Sequence, residues 1–321
     1  MSDIVVPLPS SSNDVSLTPQ HTPSGEPVTI DYKGDEYKGV TSTAVVTIPG
    51  TRITDINLPV LAVQKQSPDS VGINPEFDGV FGFAYPSLSK HHPPITAMDA
   101  LYTNDVIPNN EIGLQLCPYE MTSNSFINIG NTDVTAKCGT DGTSIAWVQS
   151  PSDDQFTVNI KSILVNDEPV DLPEEFQKTI MENGRILYSS VETCFLHMRF
   201  PEVVVDVLIN AILDSGAITV NINIFSDKLG KVMVKKIFSQ NYAMLESVVF
   251  AIKAGPNDNA ILGIPFMAQL GLTFDRAHKR IGFGAGCGCE VSTSKYPTIS
   301  NGYRVLWPLT QVTRDFISYV V

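Results

Sequence analysis

Short runs of β-branched and aromatic residues, each cut off by Gly, Pro, Asn or Asp, recur along this chain and constrain its fold more than any other feature. They fall at residues 28–32, 43–49, 56–64, 79–85, 111–117, 125–130, 156–166, 218–225, 248–253 and 281–284. Proline removes a backbone donor and glycine weakens helix and strand interiors alike, so such punctuation favours many short strands joined by turns. The 22 Gly, 22 Pro and only 17% charged residues fit that profile and argue against a long helical bundle. The fold class expected is mostly β.

A chain of 321 residues with 43% apolar content is long enough for one large core or two moderate ones. Twenty-one basic residues against 34 acidic ones give a net charge of −13, so the field repels polyanions and nucleic acid is not an expected partner. The longest apolar stretch, 203–213, is interrupted by Asp206 and Asn210 and falls short of the roughly 18 to 20 residues of a membrane span. No secretory signal is legible at Met1-Ser2-Asp3-Ile4, so on sequence the chain is either cytosolic or begins elsewhere, and localisation stays open. Cys117, Cys138, Cys194, Cys287 and Cys289 make an odd five, which leaves the redox compartment open.

Residues 1–27, rich in Ser, Pro, Thr and Asn, read as a loose leader. A first lobe is expected over 28–150 and a second over 151–289, parted by the polar stretch 149–154; 290–321 reads as an appended tail. Helices are predicted at 94–101, at 265–270 and at 173–182. The last has Pro173 at its first position, Glu174 and Glu175 in its first turn and Asn183-Gly184 as its stop. Residues 201–213 fit helix or strand, because Val203-Val204-Val205 is β-branched.

The two halves share one echo. Phe77-Asp78-Gly79-Val80-Phe81-Gly82 and Asn259-Ala260-Ile261-Leu262-Gly263 each place two apolar residues before a Gly, where the missing side chain lets another backbone approach. With Gly113-Leu114-Gln115-Leu116-Cys117 and Phe274-Asp275-Arg276-Ala277-His278-Lys279-Arg280, these segments resemble, in order, the pepsin-type aspartic proteases and more narrowly their beta-secretase (memapsin) branch. The resemblance runs from about Val28 to Cys289. It implies a bilobal pepsin-like fold with an incomplete N-terminal lobe and a cleft between lobes. It also implies a monomer without cofactor, an extended peptide or protein substrate, and a secretory or membrane setting.

In that chemistry two carboxylates share a proton across a water; one acts as general base and the other donates to the scissile carbonyl. Each lobe of the family supplies one Asp in an Asp-Thr/Ser-Gly turn. Here the motif occurs once, at Asp214-Ser215-Gly216, which makes Asp214 the candidate second-lobe catalytic residue and Gly216 its turn glycine; the alternative is an ordinary turn aspartate. Neighbouring segments complicate this, since Leu172-Pro173-Glu174 and Phe200-Pro201-Glu202 resemble stretches that follow the turn in the family. Residues 28–34 resemble the flap hairpin, with Tyr32 at the substrate-covering tyrosine, and the first catalytic turn is expected ahead of Met1.

By the same resemblance Cys117 would bridge to Cys287 or Cys289, the alternative being reduced thiols. Cys287-Gly288-Cys289 with His278 lacks zinc-site spacing, so no metal is expected. The functional expectation is an aspartic endopeptidase of impaired activity or, alternatively, an inactive peptide-binding relative.

Overall fold

The computed structural model describes residues 1–7, 25–32, 35–66, 79–117, 125–130, 145–215, 217–226, 230–239, 252–286, 298–301 and 304–306. Contacts divide the chain into unit 1, Met1–Asn110 with Asp153–Gln155, and unit 2, Glu111–Ser152 with Phe156–Val321. The continuous part of unit 1 therefore ends at Asn110, well before the polar stretch at 149–154, and the end of that stretch returns to unit 1. The reason lies in strand pairing, because the strands after Asn110 bond to partners near the end of unit 2.

Unit 1 is built on β1 (Ile4–Pro7), β2 (Pro27–Tyr32), β3 (Asp35–Val46), β4 (Ile56–Gln66) and β5 (Val80–Phe81), in the order β2-β3-β4-β1-β5. Val5, Ile30, Tyr37, Leu61 and Val63 form a core cluster on it, as alternation along strands predicts. One helix, α1 (Ala97–Thr103), starts where Thr96 and Asp99 form a capping box, within the predicted 94–101 segment.

The leader is corrected at its beginning. Ile4–Pro7 runs parallel to β4, and Ser2 and Asp3 are buried. A four-residue strand has no periodicity of its own to read, and it is its place between β4 and β5 that makes it a strand.

Unit 2 holds β6 (Glu111–Gln115), β7 (Phe126–Ile129), β8 (Ala146–Gln149), β9 (Thr157–Val158), β10 (Ile160–Val165), β11 (Glu168–Pro169), β12 (Ser189–Val191) and β13 (Met198–Phe200). After α2 (Glu202–Ser215) come β14 (Ala217–Ser226), β15 (Gly230–Ser239), β16 (Ile252–Ala254) and β17 (Ile261–Leu262). The short α3 (Ile264–Met267) leads to β18 (Leu270–Asp275), β19 (Arg280–Ala285), β20 (Thr298–Asn301) and β21 (Arg304–Leu306).

These strands make three sheets, ordered β7-β6-β18-β19-β8, β11-β10-β14-β15-β20-β21 and β16-β13-β17-β12-β9. The molecule is mostly β, as the punctuation predicted. The tail is part of the fold where it is described, since β20 bonds to β15 from Lys235↔Thr298 to Val232↔Asn301.

Two helix predictions resolve differently. Residues 201–213 are helical: Val204, Val205, Leu208 and Ile212 recur at helical spacing and are buried, and that burial outweighs the β-branched bias. Residues 173–182 form turns instead. Gln177 takes a left-handed φ of 54°. Its side-chain Oε1 accepts from the N–H groups of Ile160 at 3.0 Å and Ser189 at 3.3 Å, while its Nε2 donates back to the Ile160 carbonyl. A side chain that replaces backbone partners for two strands holds this segment in turns.

Candidate functional site

Each unit contains the same three-strand core. In unit 1, β1 runs parallel to β4 and antiparallel to β5: Ile4 pairs with Val60 and Phe81, and Val5 with Leu61 and Val80. In unit 2, β13 runs parallel to β16 and antiparallel to β17: Met198 pairs with Ile252, and Arg199 with Lys253 and Ile261. Register thus equates Ile4 with Met198 and Val5 with Arg199. The sequence extends the match by one dipeptide, Val6-Pro7 against Phe200-Pro201.

The glycines that end β5 and β17 give the same correspondence independently. A Cβ on Gly82 would stand 2.6 Å from the carbonyl oxygen of Asp3 and 2.8 Å from that of Met1. On Gly263 it would stand 2.2 Å from that of His197 and 2.5 Å from that of Phe195. Met1 therefore corresponds to Phe195 and Asp3 to His197. The two halves are built as a repeat, and the sequence echo at Gly82 and Gly263 marks a point of close backbone approach in each.

In unit 2 this core is preceded by β12 and the turn Glu192-Thr193-Cys194. β12 runs parallel to β17, with Ser190 opposite Ile261 and Val191 opposite Leu262. The Glu192 N–H continues the ladder to the Leu262 carbonyl at 3.1 Å, and the Ile264 N–H reaches the Phe195 carbonyl at 2.8 Å. The turn is thus pinned at both ends to the strand that carries Gly263.

Glu192 is half-buried. Its carboxylate accepts from the Ser190 hydroxyl at 2.7 Å on one oxygen and from the Cys194 thiol at 3.3 Å on the other. Beyond it Arg199 Nε donates to His197 Nε2 at 3.1 Å, and the Arg199 guanidinium lies 5.3 Å from the Phe195 ring centre.

The short helix that follows the Gly263 strand is held by a buried lysine. Lys236, on β15 and buried, donates to the carbonyls of Pro265, Phe266 and Ala268 at 2.6, 2.8 and 2.7 Å. Those carbonyls belong to α3 and its C-terminal end, where a cation also suits the helix dipole. Burial pulls the Lys236 ammonium down from its ordinary 10.5 to about 7.

Asp214 lies elsewhere. It is exposed in the last turn of α2, whose Ser215 hydroxyl donates back to the Ala211 carbonyl at 2.7 Å. The apolar lead-in at 211–213 is therefore helix, with Ile212 turned to the core, where an aspartate turn calls for a strand. Gly216, Cys138, Cys287 and Cys289 lie outside the described residues. Tyr32 closes β2 opposite Asp35, at the end of the β2–β3 hairpin.

Sequence reading by motif passed over Glu192, because its turn has neither Asp nor Gly. The available signal was the order carboxylate, hydroxyl, small residue, followed at Phe200-Pro201 by a stretch already recognised as lying downstream of such a turn.

Comparison with known proteins agrees with this architecture. The eukaryotic aspartyl protease family model matches residues 12–286. Pepsin A of Callithrix jacchus is 24% identical over 185 residues, 56% of this chain and 45% of that protein, so the match spans less than half of the relative's length. Over most of its length, from the leader to the end of β19, the chain belongs to the eukaryotic aspartyl protease family.

Proposed function

We propose that this chain binds extended peptides as aspartic endopeptidases do and hydrolyses them only weakly. Family membership and the repeated strand core support peptide binding. Extended peptides suit such a protein because backbone hydrogen bonds supply affinity and alternate side chains supply specificity. The observation that carries weak hydrolysis is the position of Asp214: the sequence's one Asp-Ser-Gly begins on an exposed helix end. Two carboxylates that work as a unit lose nearly all of their effect when one is displaced.

The test is a quenched mixed-peptide pool, assayed from acid to neutral pH beside pepsin A. Cleavage is expected roughly a thousandfold or more below pepsin A, with Asp214→Asn indistinguishable from the unsubstituted chain. Acid-peaked cleavage at pepsin-like rates, abolished by Asp214→Asn, would sink this reading. So would a folded chain that retains no peptide-based transition-state mimic.

The same proposal places the chain in the beta-secretase branch and joins Cys117 to Cys287 or Cys289. Gly286 supports the pairing: its N–H donates to the Gln269 carbonyl at 3.1 Å, and Gln269 N–H donates to the Leu116 carbonyl at 2.7 Å. Through Gln269 this ties the residue before Cys287 to Leu116, the residue before Cys117. A non-reducing peptide map should recover the Cys117 peptide linked to the one that holds Cys287 and Cys289. Alkylation of Cys117 without prior reduction would refute the bridge.

A further inference from the structure

We infer that Glu192, and not Asp214, is the carboxylate that unit 2 presents to a bound peptide; this rests on the peptide-binding reading above. Two independent measures of the internal repeat, strand register and the glycine contacts, fix the residue correspondence around β13. Read upstream from Phe195, that frame leads directly into Glu192-Thr193-Cys194, at the end of a strand paired to the Gly263 strand.

A carboxylate that is to meet a substrate must be held by rigid neighbours, and this one is. Its backbone is tied to Leu262, and its oxygens to Ser190 and Cys194. The turn repeats the chemical order of an Asp-Thr/Ser-Gly turn, with Glu for Asp and Cys for Gly. Exposed Thr193 and Leu196, the latter 69% exposed, leave the outer side of the loop open to a ligand. Asp214 has none of these supports.

Glutamate carries its carboxylate one methylene farther from the backbone than aspartate. A displacement on the order of 1 Å at a reacting centre lowers rates by roughly a hundredfold. Glu192 thus contributes to weak hydrolysis while leaving a carboxylate acceptor for a substrate hydroxyl or water.

The experiment uses two probes: a peptide with a secondary hydroxyl in place of the scissile carbonyl, and its counterpart with that hydroxyl removed. A hydrogen bond to a carboxylate makes the hydroxyl compound bind about tenfold or more tighter. Glu192→Gln should bring that ratio down to near one and leave the deoxy compound's affinity unchanged. Glu192→Asp should keep a ratio well above one, and Asp214→Asn should leave it intact. Gln keeps a side-chain oxygen for Ser190 or Cys194, and thermal unfolding of each variant separates lost binding from lost folding.

A ratio that survives Glu192→Gln, or one that falls in Asp214→Asn instead, overturns the assignment while peptide binding stands. A ratio of one in the unsubstituted chain does the same. Failure of the folded chain to bind either compound overturns both readings.

Discussion

Gly263→Ala is expected to lower unfolding stability by about 3 kcal/mol or more, as measured by the urea midpoint of the whole chain. The added methyl would stand 2.2 Å from one carbonyl oxygen and 2.5 Å from another, both backbone. Neither can turn away as a flexible side chain would. Relief requires β17 and the loop from Phe195 to His197 to part, which breaks the Ile264-to-Phe195 hydrogen bond and tilts the turn that holds Glu192. The same variant should therefore lose the preference for the hydroxyl-bearing peptide. Gly50→Ala is the matched comparison: its φ is +77° with nothing within 4 Å, so only backbone strain of about 1 kcal/mol is added. A Gly263→Ala midpoint no lower than that of Gly50→Ala would show that the close approach is not maintained.

The second large effect is at Lys236. Replacement by Met fills the volume but leaves the carbonyls of Pro265, Phe266 and Ala268 without the donor that serves all three. A loss of about 2 to 4 kcal/mol is expected, since each unsatisfied buried carbonyl is unfavourable by about 1 to 3 kcal/mol and removing a buried charge returns part of that.

The pH dependence has a definite sign. Lys236 has a folded-state value of about 7, below the 10.5 of an unfolded lysine. Between those values the unfolded chain holds a proton that the folded chain has released, so this group's contribution to stability rises with pH through that window, by at most about 1.4 kcal/mol per pH unit. Below pH 7 both states are protonated and the contribution is flat at its least favourable level. Urea titrations of the unsubstituted chain and Lys236→Met at several pH values isolate the term. A difference between them that does not grow from pH 7 to 10 would contradict it.

Local pattern carried the fold a long way. β4, β10 and β14 are visible because their residues alternate or are continuously apolar and end in turn formers. Where local pattern failed, a distant partner decided. Residues 173–182 had every local mark of a helix, yet Gln177 is bound to Ile160 and Ser189, a requirement invisible within the segment. β1 is a strand only because β4 and β5 flank it.

The frame of the candidate site was legible in the sequence, while the one Asp-Ser-Gly lies on an exposed helix end. The Gly82 and Gly263 echo located the repeated strands, whereas the Asp-Ser-Gly letters pointed to a helix end at Asp214, because three residues cannot reveal whether the chain before them is strand or helix. Val6-Pro7 against Phe200-Pro201 was the longer-range evidence, and it acquires meaning only once register makes those dipeptides equivalent.

The sheet β7-β6-β18-β19-β8 joins strands made early in unit 2 to strands made near its end: Glu111–Gln115 pairs with Leu270–Asp275, and Ala146–Gln149 with Arg280–Ala285. Everything between is an insertion that must be looped out while these partners find each other. During synthesis β6 therefore leaves the ribosome with β7 to pair on one side only, and β8 ahead of its partner β19, so both keep an open edge until β18 and β19 appear, a period in which self-association competes with folding. For this chain, the hazard of misfolding is set by the order in which it is made.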